Sequence, residues 1–207
     1  MVSPKSVPVR AGRPREFEPE VAVAACMDVF WRAGYAATSV PQLSEAAAVS
    51  TSSIYNTFGS KRDVYLAALD RYLDLAREHM YGPMLHGELG TVDIDAFLDR
   101  LLISAATSGQ HGCLVTKATA EFGDADEAVV ARTTAFRREL RTALAAALER
   151  ARALGELDGN PLPVGVLADL LLGQVYAFNL LDGAGAPRGE LEALDSAARA
   201  LLHPPAA

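Results

Sequence analysis

Cysteine is scarce in this 207-residue sequence, with Cys26 and Cys113 as the only two. Two cysteines are too few for a disulfide framework, which excludes the small, disulfide-stapled class of secreted domain. The segment 1–11 is polar and proline-rich and lacks the apolar centre of a signal peptide. These features predict a reduced, cytoplasmic protein.

Long uninterrupted apolar runs are also missing. The most apolar stretch, 162–181, contains Asp169, Gln174 and Asn179. A membrane-spanning helix needs about 20 predominantly apolar residues. We therefore predict no membrane span, and we interpret 162–181 as a helix with one face in a core and the other against a partner.

Catalytic motifs are absent as well. The four histidines, His79, His86, His111 and His203, show no metal-ligand spacing, and neither a phosphate-binding loop nor a nucleophile elbow occurs. His111 and Cys113 flank a glycine, and we expect their side chains to diverge instead of forming a thiol–imidazole pair. The sequence predicts no enzyme, no catalytic residue, no metal and no cofactor.

Positive charge is in the minority, since the formal net charge is −7. Its distribution is uneven: residues 1–62 hold seven basic and five acidic residues, and the remainder holds 12 basic and 21 acidic residues. Residues 1–15 carry four of the basic residues and no acid, which predicts a disordered basic arm or, alternatively, a solvated tail. Such an arm can lie along nucleic acid, with Arg13 reaching a groove or a phosphate.

Helical periodicity dominates the chain, and no strand pattern appears. Apolar residues recur at helical spacing in segments starting at Pro19, Ser39, Thr51, Ser60 and Thr91 and continuing over 113–122, 126–154, 162–181 and 188–202. Gly82-Pro83 is expected to break the helix from Ser60 to about Met80. The fold class is therefore all-α, with about nine helices. We divide it into the arm 1–15, a domain 16–62 and a domain 63–207.

Two short helices joined by a tight turn stand out between Ser39 and Gly59. Ser39 and Gln42 have the spacing of a capping box, Ser50 can cap the second helix, and Gly59 can end it. The outer face of the second helix carries hydroxyls, one Tyr and one Asn, and no acid occurs between Glu45 and Asp63. Such side chains reach phosphate oxygens and base edges, as in a helix-turn-helix. An ordinary helical hairpin is the alternative that spacing alone leaves open.

The residue pattern of this stretch resembles the DNA-binding signature of TetR-family transcriptional regulators. The matching positions are Gly34, Tyr35, Thr38, Leu43, Ala47, Val49, Ser50, Ile54, Tyr55, Phe58, Ser60, Lys61 and Val64. Ala48 departs from the pattern, because the family often has glycine at this turn; if the backbone is left-handed there, alanine costs about 1 kcal/mol.

The resemblance implies an N-terminal three-helix helix-turn-helix DNA-binding domain and a C-terminal helical ligand-binding and dimerisation domain. It implies a homodimer, formed by 162–181 and 188–202, on a pseudo-palindromic double-stranded DNA operator. A repressor is the favoured interpretation and an activator the alternative. The predicted DNA-binding residues are Arg13, Thr38, Ser39, Thr51, Ser52, Ser53, Tyr55, Asn56 and Lys61. Among them, Thr38, Tyr55 and Lys61 are expected on phosphates and Asn56 on a base.

A small-molecule effector is also implied by the resemblance. Apolar residues with a few polar ones predict its cavity, namely Phe97, Leu101, Thr107, Cys113, Thr116, Phe136, Leu140, Tyr176 and Asn179. No ionisable cluster lies on the inner stripes, so we expect a neutral or weakly polar effector. The same residues can instead form a close-packed core.

Cys113 offers an alternative function. At a helix N-terminus near His111, a thiol becomes more reactive, which favours oxidant or electrophile sensing. Simple packing of a small residue is the competing interpretation. A small-molecule-binding protein that does not act on DNA is the other alternative, and the hydroxyl-rich face at 51–56 argues against it.

Overall fold

The structure, a computed structural model, describes residues 18–203, so the basic arm and Arg13 lie outside the described residues. Within them the chain is helical throughout and contains no strand, which confirms the all-α prediction. The helices are α1 (Pro19–Ala33), α2 (Val40–Ala46), α3 (Thr51–Phe58), α4 (Lys61–Leu75), α5 (Gly82–Leu85), α6 (Thr91–Thr107), α7 (Leu114–Phe122), α8 (Glu127–Ala153), α9 (Val164–Gly183) and α10 (Arg188–Leu202).

The predicted helix caps form in the N-terminal part. The Gln42 side chain accepts a hydrogen bond from the backbone N–H of Ser39 over 2.7 Å. The Ser50 hydroxyl accepts from the N–H of Ser53 over 3.1 Å, and α3 ends at Gly59 with φ 95°. These caps satisfy backbone groups that a helix end otherwise leaves unpaired, so they fix where α2 and α3 begin and where α3 ends.

Gly82-Pro83 lies where one helical segment ends and another begins, so the predicted break is present but no loop separates the two segments. α4 continues into a π-helical turn, Ala76–Tyr81, and α5 begins directly at Gly82. The wider turn lets the Gly82 N–H donate to the Arg77 carbonyl five residues back. Pro83 has no N–H to donate, and its ring would clash with a carbonyl in a regular α-helix. A Cβ at position 82 would lie 2.1 Å from the Arg77 oxygen, so glycine is required there.

Two apolar cores lie along the chain. The first core joins α1, α2, α3 and α4 to α7, and it includes Phe30, Ile54, Tyr65 and Leu114. The second core joins α6, α8, α9 and α10 to the π-helical turn. Tyr72 and Phe136 pack against both cores. α4 and α8 therefore connect the region of the short helices to the remainder of the chain.

The helix α9 is shifted by two residues from the predicted 162–181. It is long and apolar enough to cross a membrane by composition alone, as is the core helix of many soluble proteins. Here it packs between α8 and α10. Its Asp169 accepts two hydrogen bonds from Arg141 of α8, one of them over 2.6 Å. These contacts are those of a bundle helix.

Candidate functional site

The helix α3 presents an uncharged polar face. Thr51, Ser52, Tyr55 and Asn56 are exposed, while Ile54 is fully buried and holds the helix against the first core. Tyr55 leaves 47% of its surface accessible, which is high for a large aromatic residue. Since α3 is capped at both ends and anchored by its apolar side, the structure holds these four side chains on one rigid element.

Three predicted contact residues use their hydroxyls internally. Ser53 is half-buried and its Oγ lies 2.8 Å from Oγ of Ser50. Ser39 is exposed at the start of α2, and its hydroxyl donates to Gln42 over 2.8 Å. Thr38 is only 3% exposed, and its hydroxyl donates to the Gly34 carbonyl over 2.7 Å. In the structure, Thr38 is therefore a buried residue that stabilises the turn between α1 and α2, and it is not exposed to contact a phosphate.

Two adjacent cations at the start of α4 differ in their surroundings. The Lys61 ammonium lies 4.2 Å from the ring centroid of Tyr35, a cation–π contact that orients it beside α3. Arg62 donates to both carboxylate oxygens of Asp126, which is the N-cap residue of α8. Lys61 thus remains available to an anion, whereas Arg62 ties the start of α4 to α8.

A cavity of about 230 Å³ lies between the two cores, with a mainly apolar wall. Eight of the predicted effector residues line it, namely Phe97, Leu101, Cys113, Thr116, Phe136, Leu140, Tyr176 and Asn179. Thr107 does not line it, because this residue is exposed near the end of α6 and its hydroxyl donates to the Ile103 carbonyl over 2.8 Å. The structure leaves an open space among the other eight, so they are not simply close-packed core.

Sequence reasoning missed a large share of the cavity wall. The missed residues come mainly from α1, from the end of α4 with its π-helical turn, and from α9: Met27, Trp31, Tyr72, Leu75, Ala76, His79, Met80, Tyr81, Val175 and Asp182. The unusual Gly82-Pro83 pair was the available signal for the π-helical turn. Asp182 also had a signal, since it is an acid at the end of a long apolar run.

The polar groups of the cavity are few. Asp182 is 3% exposed, and one carboxylate oxygen accepts from the Gly112 N–H over 2.9 Å. Its other oxygen and the Tyr176 hydroxyl are buried and have no hydrogen-bond partner among residues 18–203. Burial, and then the nearby Cys113 side chain, raise the pKa of both Tyr72 and Tyr176 above its ordinary value. Besides the tyrosines and Cys113, the side chains of Asp182 and His79 line a cavity that we expected to lack an ionisable cluster.

The cavity wall is bonded directly to the helices of the first core. The Trp31 indole N–H donates to the Gly112 carbonyl over 2.7 Å. The Lys117 ammonium donates to the carbonyls of Trp31 and Arg32 over 2.8 and 3.1 Å. Burial lowers the pKa of Lys117. A change in the cavity can thus reach α1 through α7 and the turn before it.

No group of three or more His, Cys, Asp or Glu side chains within residues 18–203 is placed to hold a metal ion. Both cysteines are buried and free. Cys26 belongs to the first core, where burial raises the pKa of its thiol to about 11. Cys113, by contrast, is the N-cap residue of α7 and lines the cavity.

Two protein families match the chain. Residues 22–68 match the family described as bacterial regulatory proteins, tetR family. Residues 90–187 match the family described as tetracyclin repressor-like, C-terminal domain. The first match contains α2, α3 and the start of α4, and the second extends from the start of α6 to the end of α9.

Individual relatives agree with these matches. The HTH-type transcriptional repressor ComR of Escherichia coli (strain K12) is 40% identical over 63 residues, and the match spans 30% of either chain. The uncharacterized HTH-type transcriptional regulator YezE of Bacillus subtilis (strain 168) is 26% identical over 164 residues, which are 77% of this chain and 83% of YezE.

The fold also matches solved structures. One is a cysteine mutant of the TetR family transcriptional regulator CifR, complexed with 26-base-pair double-strand operator DNA. It is 28% identical with a TM-score of 0.76, and the match covers 92% of this chain and 98% of that chain. The similarity therefore extends over both cores.

Proposed function

We propose that this chain, which belongs to the TetR family of transcriptional regulators, represses its target genes. It leaves their operator when a largely apolar small molecule fills the cavity. The chain is a helix-turn-helix regulator that binds double-stranded DNA as a homodimer. The exposed, uncharged polar face of α3 carries this proposal, because it offers hydrogen-bonding groups without a repelling carboxylate.

The proposed DNA interface is built around α3. Asn56, supported by Thr51, Ser52 and Ser53, reads base edges in the major groove. Tyr55 and Lys61 contact phosphates, and the position of Lys61 at the first residue of α4 places its charge beside a helix N-terminus, which itself attracts anions. Ser39 lies exposed at the start of α2 and becomes the further phosphate contact when its hydroxyl donates to a phosphate oxygen instead of Gln42.

The arm and the two domains are each assigned a role. In this proposal Arg13 and the arm 1–15 track the DNA, residues 16–62 form the DNA-binding domain, and residues 63–207 bind the effector and the second subunit. We place the protein in the cytoplasm and assign it no catalytic activity.

The dimer contact is proposed on α9 and α10. Val166, Leu170 and Leu180 leave between 43% and 59% of their surfaces exposed on α9. Clustered apolar exposure of this kind is typical of a partner surface. A second copy of α9 and α10 would cover these side chains, which accounts for a helix that is apolar nearly all round.

Effector release is proposed to operate through α4. Lys61 begins this helix beside α3, and Tyr72 and Leu75 near its end line the cavity together with residues of the π-helical turn that follows. An effector that tilts α4 changes the distance between the two α3 helices of the dimer, which must match one turn of the duplex, about 34–36 Å. A coupling of about 1–3 kcal/mol between effector and DNA then suffices for release.

The test begins with selection of bound fragments from a genomic DNA pool, which yields the operator. Candidate effectors are then titrated against the operator complex. Ser104→Phe places a phenyl ring into the cavity from α6, and Ile103→Phe places the same ring on the exposed side of the same helix. We expect Ser104→Phe to bind the operator but to resist release, and Ile103→Phe to behave as the wild type. Equal release from both variants would place the effector elsewhere.

A second candidate function is favoured by the position of Cys113. Its thiol lies in the cavity beside Tyr72, at the N-terminus of α7. A helix N-terminus promotes the thiolate, and oxidation or alkylation there would change the cavity as an effector does. Cys113→Ser tests this candidate. If peroxide and aldehydes release the variant from the operator as they release the wild type, the thiol has no sensing role.

A further inference from the structure

The carboxylate of Asp182 is an incompletely satisfied acceptor at the cavity. Asp182 is 3% exposed, one of its oxygens accepts from Gly112, and the second oxygen is buried and finds no partner in the described part of the chain. Asp182 also lines a second cavity, which lies beside Gln110 and Arg188. A buried acceptor with no donor costs free energy, and a carboxylate costs more than a neutral group.

The position of this carboxylate is fixed by close packing of the turn before α7. Gly112 has φ 61°, and a Cβ there would lie 2.4 Å from the Asn179 carbonyl oxygen. The backbone at Gly112 is therefore in direct contact with α9, three residues before Asp182. The Gly112 N–H occupies one carboxylate oxygen, so the second oxygen is left for a donor from outside the chain.

Lys117 and His79 are already engaged, and the Tyr176 hydroxyl in the same cavity, which has no hydrogen-bond partner among the described residues, does not donate to Asp182. Lys117 is close enough for its charge to interact with Asp182, but its ammonium donates to the carbonyls of Trp31 and Arg32. His79 lines the cavity with 63% of its side chain exposed, and it lies near Glu78. The remaining wall is mostly hydrocarbon. A ligand that fits this wall must be apolar over most of its surface and must carry one donor for the carboxylate.

We propose that the effector is an apolar compound bearing a single protonated amine, and that the amine is held by Asp182. This inference rests on the proposed function, since it names the chemical class of the molecule that fills the same cavity. An ammonium supplies both the missing donor and a compensating charge. An anionic ligand would be repelled by the carboxylate, and a hydrocarbon would leave the second carboxylate oxygen without a hydrogen-bond donor.

The test compares three compounds that share one carbon chain: octylamine, 1-octanol and octanoate. Trp31 is the only tryptophan and lines the cavity, so its fluorescence reports binding to the full-length protein. Octylamine is expected to bind about tenfold or more tightly than 1-octanol, because both can donate to the carboxylate but only the ammonium also compensates its charge. Octanoate is expected to bind least. Equal affinity for amine and alcohol, tighter binding of octanoate, or no binding in the series overturns the proposal.

Asp182→Asn removes the charge and keeps an oxygen that accepts from Gly112. The preference for octylamine over 1-octanol should fall to about threefold or less, and exposed Asp124→Asn should retain it. The wild-type series decides the proposal even if Asp182→Asn lowers stability. Operator release is measured separately: if octylamine binds preferentially without releasing DNA, the proposed function fails and the amine site stands. If octylamine and 1-octanol bind equally and release DNA, the amine site fails and the proposed function stands.

Discussion

The indole N–H of Trp31 donates to the carbonyl oxygen of Gly112 over 2.7 Å, and the N–H of the same glycine donates to Asp182 over 2.9 Å. Trp31 belongs to α1, which supports the short helices, and Asp182 belongs to α9. One residue of the turn before α7 is therefore bonded to both parts of the chain. We expect movement of α9 or of the Asp182 carboxylate to reach α1 through these two hydrogen bonds.

Replacing Trp31 by Phe tests this link. The variant keeps an aromatic ring beside Tyr72, whose centroid lies 5.5 Å away, but it loses the N–H donor. We expect a stability loss of about 1 kcal/mol from the hydrogen bond and its unpaired acceptor, unchanged operator affinity, and a higher effector concentration for release. Calorimetry measures effector binding independently of the lost fluorescence. Release at the wild-type concentration, with normal effector affinity, would show that the link carries no coupling.

The ion pair between Arg62 and Asp126 predicts a pH dependence. The Arg62 guanidinium, aided by the backbone N–H groups of Val129 and Ala128, lowers the pKa of Asp126 to about 2. In the unfolded chain, the pKa of an Asp side chain is about 3.9. Because the folded pKa is the lower one, the pair stabilises the protein above about pH 4 and loses this contribution as the pH falls toward about 2.

Asp126→Asn is the matching variant, since Asn is also a good N-cap residue. The difference in unfolding free energy between wild type and variant should be constant above about pH 5 and should shrink between about pH 4 and 2. Urea unfolding at a series of pH values measures it. A difference that stays constant down to the lowest pH would show that the pair does not titrate as the geometry predicts.

The turn between α2 and α3 predicts a stabilising substitution. Ala48 has φ 54°, which confirms the left-handed backbone that the sequence comparison with the family pattern suggested. Ala48→Gly should stabilise the protein by about 1 kcal/mol, because glycine adopts this region without a steric cost. Ala135→Gly, on the exposed side of α8, should instead destabilise it by about 1 kcal/mol. Equal changes in melting temperature would contradict the argument.

Local chemistry explains which features the sequence could predict. The caps at Ser39 and Ser50 and the end of α3 at Gly59 depend on residues within one turn of one another, so their spacing is sufficient. The exposed face of α3 follows from the same periodicity, once Ile54 is assigned to the core. The family resemblance added the expectation of a cavity, which no single helix pattern contains.

Features that depend on tertiary packing could not be predicted from the sequence pattern. Thr38 looks like an exposed hydroxyl in sequence, but the α1–α2 turn buries it against Gly34. Thr107 is a different case, because it lies four residues after the exposed Ile103 on α6, so helical spacing itself places it on the outer side. The wall contributed by Trp31 arises because α1 packs beside α7, more than 80 residues later in the chain. Such contacts require the relative placement of helices, which periodicity does not specify.

Two substitutions on the DNA-binding face should have different signatures. Asn56 is exposed on α3, and a bidentate amide on an adenine contributes about 1–3 kcal/mol of discrimination. Asn56→Ala should therefore relax the preference at one position of each half-site. Lys61 contacts a phosphate in our proposal, so Lys61→Ala should weaken binding to all sequences alike and reduce the slope of log affinity against log salt by about 1.

The measurement is a titration of both variants against the selected operator, single-base-pair variants of it and unrelated DNA, at several salt concentrations. Val21→Ala is the control, because Val21 is exposed on α1 and lies outside the proposed interface. The distinction follows from the chemistry of the contacts: phosphates are identical along the duplex, whereas base edges differ at each position. If Asn56→Ala and Lys61→Ala both weaken every sequence by the same factor, Asn56 contacts the backbone, and base reading must be reassigned to the hydroxyls of Thr51 and Ser52 at the start of α3.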